Sequence, residues 1–116
     1  MNISRYRRKA PLGISRGRLK VQVLAPRGDV DSEVVPDLQA QADAALAEHG
    51  TLILDAGAIE FADSSFLRLA LTLHTQGEFK IANPSFAVQR LLEVVGADAL
   101  LSVHPTVSSA RESHVG

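Results

Sequence analysis

The chain contains no cysteine and no tryptophan, and it has one tyrosine and one methionine. Without cysteine there can be no disulfide framework, no cysteine zinc site and no thiol nucleophile. Its apolar runs fall far short of the roughly 18 residues that a membrane span needs. Phosphate-cradling glycine patterns are missing too: neither G-x-G-x-x-G nor G-x-x-x-x-G-K-[ST] occurs. The four histidines, His49, His74, His104 and His114, are scattered rather than paired at metal-ligand spacing. No metal or cofactor site is expected, and no catalytic residue. No acidic residue precedes Asp29, whereas seven of the twelve basic residues (Arg5, Arg7, Arg8, Lys9, Arg16, Arg18 and Lys20) lie in the first twenty positions. No aromatic-basic pattern carries that charge into the rest of the chain, so a solvated extension is expected over residues 1–17 rather than a nucleic-acid arm. No apolar stretch follows these basic residues, so a secretory signal is not expected. A cytoplasmic protein fits best.

What is present suits one globular domain. The 116 residues are 46% apolar and 22% charged, and that length allows a single core. "RLKVQVLAP" alternates with the period of a half-buried strand, and "PLGIS" before it reads as an edge strand. "RGDVD" then breaks the pattern. From Glu33, Leu38, Ala42, Ala45 and Leu46 recur at helical spacing, with Asp31 or Ser32 as cap and Gly50 at the exit. "TLILDAG" reads as a buried strand, and "EFKIAN" and "ALLSV" as later ones. In "SSFLRLALTLHTQ" a narrow polar stripe leaves Leu67, Leu69, Ala70, Leu71 and Leu73 for burial. "NPSFAVQRLLEVVG" predicts a helix capped by Asn83, with Val88, Leu91, Leu92 and Val95 on one face, and "HPTVSSARE" a last short helix. The alternation predicts an α/β fold: a mixed, mostly parallel sheet of four to five strands with about four helices. The domain is expected over residues 18–112, with a tail at 113–116.

Two acidic positions carry candidate chemistry. Asp55 closes a buried strand, where receiver domains carry their phospho-accepting aspartate, and Lys80 is the only late lysine. No acidic pair follows the first strand to hold Mg²⁺, so a strand-end carboxylate bonded to its own turn is favoured. The second position is "ADSS", residues 62–65. Asp63 or Ser64 suffices as an N-cap, worth about 1 kcal/mol, and the pair of hydroxyls exceeds what capping needs. A hydroxyl in an exposed strand-to-helix turn can accept a phosphate, because the helix N-terminus favours an anion.

"LILDAGAIEFADSSFLRLAL" resembles the signature of STAS domains, as found in bacterial anti-sigma factor antagonists, where a strand ending in Asp leads to Asp-Ser-Ser or Asp-Ser-Thr. "VLAPRGDVDSEVVPDL" resembles the family's Gly-x-x-Asp turn, here Gly28 and Asp31. "KIANPSFAVQRLLEVVGADALLSVHPTVSSA" resembles its C-terminal half. The resemblance implies a partner switch rather than an enzyme. The unphosphorylated form binds an anti-sigma factor that is also a serine kinase of the histidine-kinase-like ATPase class, and so frees a sigma factor. Phosphorylation at Ser64, or secondarily at Ser65, breaks the complex, and a serine phosphatase restores it. It places Gly28, Asp31, Asp63, Ser64, Ser65, Phe66 and Arg68 at the partner contact. Phe66 departs from the family's usual Gly: it would either narrow kinase access or stand out as an anchor. Arg68 would either reach a phosphate at Ser64 or remain a solvent-facing charge. The alternatives are a STAS module that binds without the switch, and a receiver-like phosphotransfer protein using Asp55.

Overall fold

The computed structural model describes residues 21–115. The "PLGIS" edge strand and the basic extension lie outside them. The elements run β1 (Gln22–Leu24), β2 (Gly28–Val30), α1 (Val35–His49), β3 (Thr51–Asp55), β4 (Ile59–Ala62), α2 (Ser64–Gln76), β5 (Glu78–Ala82) and α3 (Phe86–Val95). A short 3₁₀ turn (Ala97–Ala99), β6 (Ser102–His104) and α4 (Val107–Val115) complete the chain. The expected domain end at residue 112 therefore falls inside the last helix.

Four strands form a sheet in the order β1-β3-β5-β6, and β2 and β4 form a separate two-stranded ribbon. Every strand pair among the described residues is parallel. The α/β class with four helices is thus as expected, while β2 and β4 fall where the sequence reads only as a break and a loop. Both are short, and Gly28 enters β2 at φ +79° with a register shift beside it. Such a bulge erases the period-2 signal.

Burial follows the strand pleat. In β3, Leu52 and Leu54 face α1 and α2, whereas Ile53 faces α4, so the run "LIL" is covered on both sides. In β5, Phe79 and Ile81 join the larger core, while Lys80 and Ala82 point toward α4. Helix α1 buries Leu38, Ala42, Ala45 and Leu46, the four expected positions. It begins later than expected. Asp31 accepts from the N–H groups of Glu33 (3.0 Å) and Val34 (3.3 Å) in the turn ahead of the helix, and Gly50 at φ +81° closes it.

Helix α3 also differs in its start. Its cap is Ser85, whose hydroxyl accepts from Val88 N–H at 3.3 Å, not Asn83. Asn83 sits at φ +54° and donates its side-chain amide to Asp55 across the sheet end. Val95, expected on the buried face, is exposed. Helix α4 starts with a reciprocal cap in which Ser109 N–H donates to the Thr106 hydroxyl (3.0 Å) and Thr106 N–H to the Ser109 hydroxyl (3.2 Å).

Candidate functional site

The β2-β4 ribbon sets the site. Val30 pairs with Ala62, so the residues that follow, Asp31 and Asp63, emerge at the same end of the ribbon. Asp63 then caps α2, whereas Asp31 holds the turn ahead of α1. Asp63 has extended backbone angles, and its Oδ1 accepts from Ser65 N–H at 2.9 Å, while its carbonyl accepts from Phe66 N–H (3.0 Å) and Leu67 N–H (3.2 Å). This is the arrangement an N-cap requires. Ser64 is then the first residue of α2, and its side chain is exposed; Ser65 is half-buried. Of the two hydroxyls, Ser64 is the accessible one. A charge added there meets the positive end of the α2 dipole, with Asp31 and Asp63 as acidic neighbours at the ribbon end.

A second set of bonds fixes the turn ahead of β4, at the other end of the ribbon. Asp55 Oδ1 accepts from Gly57 N–H (3.1 Å) and from Asn83 Nδ2 (3.2 Å). Ala56 N–H donates to Ala82 O (2.9 Å), and Ser85 N–H to Ala56 O (3.2 Å). The turn before β4 and the turn before α3 are therefore tied to each other. A Cβ on Gly57 would collide with the Asn83 amide and push it away from Asp55.

A family model for the "Mlab, STAS domain" matches residues 16–102. The chain belongs to the STAS domain family. Solved structures agree on the fold. An anti-sigma factor antagonist from Mycobacterium paratuberculosis has a TM-score of 0.74 at 23% identity, over 81% of this chain and 85% of that one. The anti-sigma factor antagonist SpoIIAA in its unphosphorylated form gives 0.67 at 22% identity, over 84% and 90%. The STAS domain of a SulP transporter from Vibrio cholerae gives 0.67 at 18% identity, over 91% and 89%. No curated protein matches the chain by sequence.

Within this STAS domain the expected contact residues divide. Asp31, Asp63, Ser64 and Ser65 come together at the ribbon end, and Arg68 is exposed one turn along α2 from Ser64. Gly28 does not join them. It pairs with Ile59 at the opposite end of the ribbon, donating its N–H to Ala58 O at 2.8 Å, beside a shallow depression lined by Arg27, Gly57 and Glu60. Phe66 is a correction: it is fully buried, neither narrowing access to Ser64 nor presenting an anchor. With Asp63 as cap, Phe66, Leu69, Ala70 and Leu73 form the inward stripe of α2 at i, i+3, i+4 and i+7.

The aromatic exposed near Ser64 in sequence is Phe61, on β4, and α3 beside β4 exposes Phe86. Neither was singled out from sequence, because an exposed Phe in a strand or helix has no local signature. Asp55 is engaged by its turn and by Asn83. Lys80 is buried toward α4, where Nζ donates to Ala110 O (3.0 Å) and the Ser113 hydroxyl (2.9 Å) and lies 3.4 Å from Glu78 Oε2. Among the described residues no group of three or more His, Asp and Glu is placed to hold a metal ion, and no helix is long and apolar enough to cross a membrane.

Proposed function

We propose that this STAS domain is a non-enzymatic anti-sigma factor antagonist that regulates transcription by partner switching in the cytoplasm. Unphosphorylated, it binds an anti-sigma factor with serine kinase activity of the histidine-kinase-like ATPase class. Phosphorylation of Ser64 releases the complex, and a serine phosphatase restores binding. The observation that carries the reading is the exposed Ser64 hydroxyl at the first position of α2, beside the capping carboxylate of Asp63. The likeness in fold to two anti-sigma factor antagonists supports it.

The physics of the switch follows from that position. A phosphoryl group adds about −1.5 to −2 charges. The helix N-terminus tolerates this charge in the free protein. In a desolvated contact the same charge lacks water and a counter-ion, so complex formation loses several kcal/mol. Arg68, one turn away, is the nearest cation along α2.

A second reading is a STAS module that binds its partner without a switch, and the likeness to a transporter's STAS domain favours it. Intact mass after incubation with ATP and each candidate anti-sigma kinase separates the two. The switch predicts one added phosphate that Ser64→Ala abolishes, and a Ser64→Asp variant that loses the partner by orders of magnitude. A kinase-like partner that binds Ser64→Asp as tightly as the wild type would favour the constitutive module. A phosphate that is retained on Ser64→Ala and lost on Asp55→Asn would revive the receiver-like alternative.

A further inference from the structure

The surface contains an apolar stripe that the Ser64 switch does not use. On α3, Phe86, Arg90 and Val94 lie at i, i+4 and i+8, one line along the helix. Phe86 is 74% exposed and Val94 75% exposed. Arg90 lies over the Phe86 ring, with its guanidinium carbon 5.8 Å from the centroid. Leu100, just past the 3₁₀ turn, is 64% exposed, and Phe61 on the neighbouring strand β4 is 48% exposed. These are not the leftovers of a poor core, since the opposite side of α3 fully buries Val88 and Leu92. A row of large apolar groups on one helix face, away from the core, marks an interaction surface.

Charge indicates what can cover it. Residues 21–115 carry thirteen acidic and five basic side chains, a net of −8. Glu93 on α3 and Asp98 in the 3₁₀ turn, next to Val94 and Leu100 in the chain, are exposed, while Arg90 is spread over Phe86. Nucleic acid and anionic lipid are disfavoured beside these carboxylates, as is the same acidic face of a second copy. A protein with apolar pockets bordered by Lys and Arg fits.

We propose that the outer face of α3, together with Phe61, is a docking surface for the anti-sigma partner, and that the partner meets it with a basic-rimmed apolar surface. This rests on the reading of the protein as an antagonist. Docking here is separate from the chemistry at Ser64: α3 holds the partner, and the hydroxyl is what the partner modifies.

The test uses the full chain and each purified anti-sigma kinase of the source organism as probe. Affinity is measured for wild type, Ser64→Asp, and the double variant Phe86→Ser/Val94→Ser. Both serines replace exposed side chains, so the fold is retained, which circular dichroism checks. Docking on α3 predicts an affinity loss of about thirtyfold or more for the double variant. It also predicts a raised KM for Ser64 phosphorylation with kcat unchanged, and binding that weakens with added NaCl. Unchanged affinity in the double variant, with Ser64→Asp still disruptive, overturns the docking surface and leaves the switch standing. Loss in the double variant, with Ser64→Asp binding normally, does the reverse. A flat salt response overturns the basic character of the partner. Sedimentation of the wild type as a dimer that the double variant dissolves also overturns the proposal, with a second copy as the occupant.

Discussion

Replacing Asp63 with alanine removes the acceptor of the Ser65 N–H bond and leaves the first turn of α2 uncapped. The expected loss is about 1 kcal/mol, with asparagine recovering most of it, measured by urea denaturation. An Asp63→Ala variant as stable as wild type would mean that the cap is not what fixes Ser64. Phe66→Ala is a larger perturbation. Its side chain is fully buried, and the cavity left behind predicts a loss of about 3–5 kcal/mol, enough to threaten folding altogether. A near-neutral result would contradict its placement in the core. These two residues also mark what the sequence discloses at this scale. The Asp63 cap is a local arrangement of side chain and backbone, so it can be read from "ADSS" alone. The burial of Phe66 follows once the cap fixes the phase of the helix, because 66, 69, 70 and 73 then share one face. Comparing position 66 with the glycine of related proteins hides that phase.

At the scale of elements, long-range partners decide what local patterns leave open. Asn83 and Ser85 flank Pro84, and either suits a cap; only the bond from Asn83 to Asp55, 28 residues away, releases the role to Ser85. The strands β2 and β4 were unreadable for a similar reason, since strands of three and four residues form only because each supplies the other's ladder. Helix α4 depends on Lys80 beneath it. Lys80→Met removes the donor to Ala110 O and to the Ser113 hydroxyl, so amide exchange in α4 should accelerate while α2 stays protected. Uniform acceleration across the domain would show that Lys80 supports the whole sheet instead. His104 lies close by, bonded to the Ser102 hydroxyl at 2.8 Å. Partial burial, and secondarily the charge of Lys80, hold its pKa below the ordinary value. Protonation is thus harder in the folded protein than in the unfolded chain. Stability from this group is complete above about pH 6.5 and declines as pH falls below it. His104→Gln should flatten the fall in melting temperature between about pH 7 and 5. If the variant keeps the wild-type slope, other groups dominate the acid response.

The whole molecule divides its charge unevenly: −8 over residues 21–115 against seven basic residues and no acidic ones in the first twenty. Sequence shows this partition directly, yet not where the acidic groups gather, which depends on the ribbon that brings Asp31 and Asp63 to one end. An added negative charge at Ser64 therefore meets two opposing influences in the free protein. The α2 dipole favours it by about 0.3–1 kcal/mol. The carboxylates of Asp31 and Asp63 oppose it by about as much at low salt. The two nearly cancel, so Ser64→Asp should shift the melting temperature by no more than about 4 °C. Because the repulsion acts over longer distances than the dipole, the variant should gain relative to wild type as NaCl is raised. Differential scanning fluorimetry at low and high salt checks both statements. If the variant instead melts far below wild type at either salt, phosphorylation would act by loosening the domain. If it does not, the fold is indifferent to the charge and the whole effect of phosphorylation falls on the complex, as a switch built on a rigid scaffold requires.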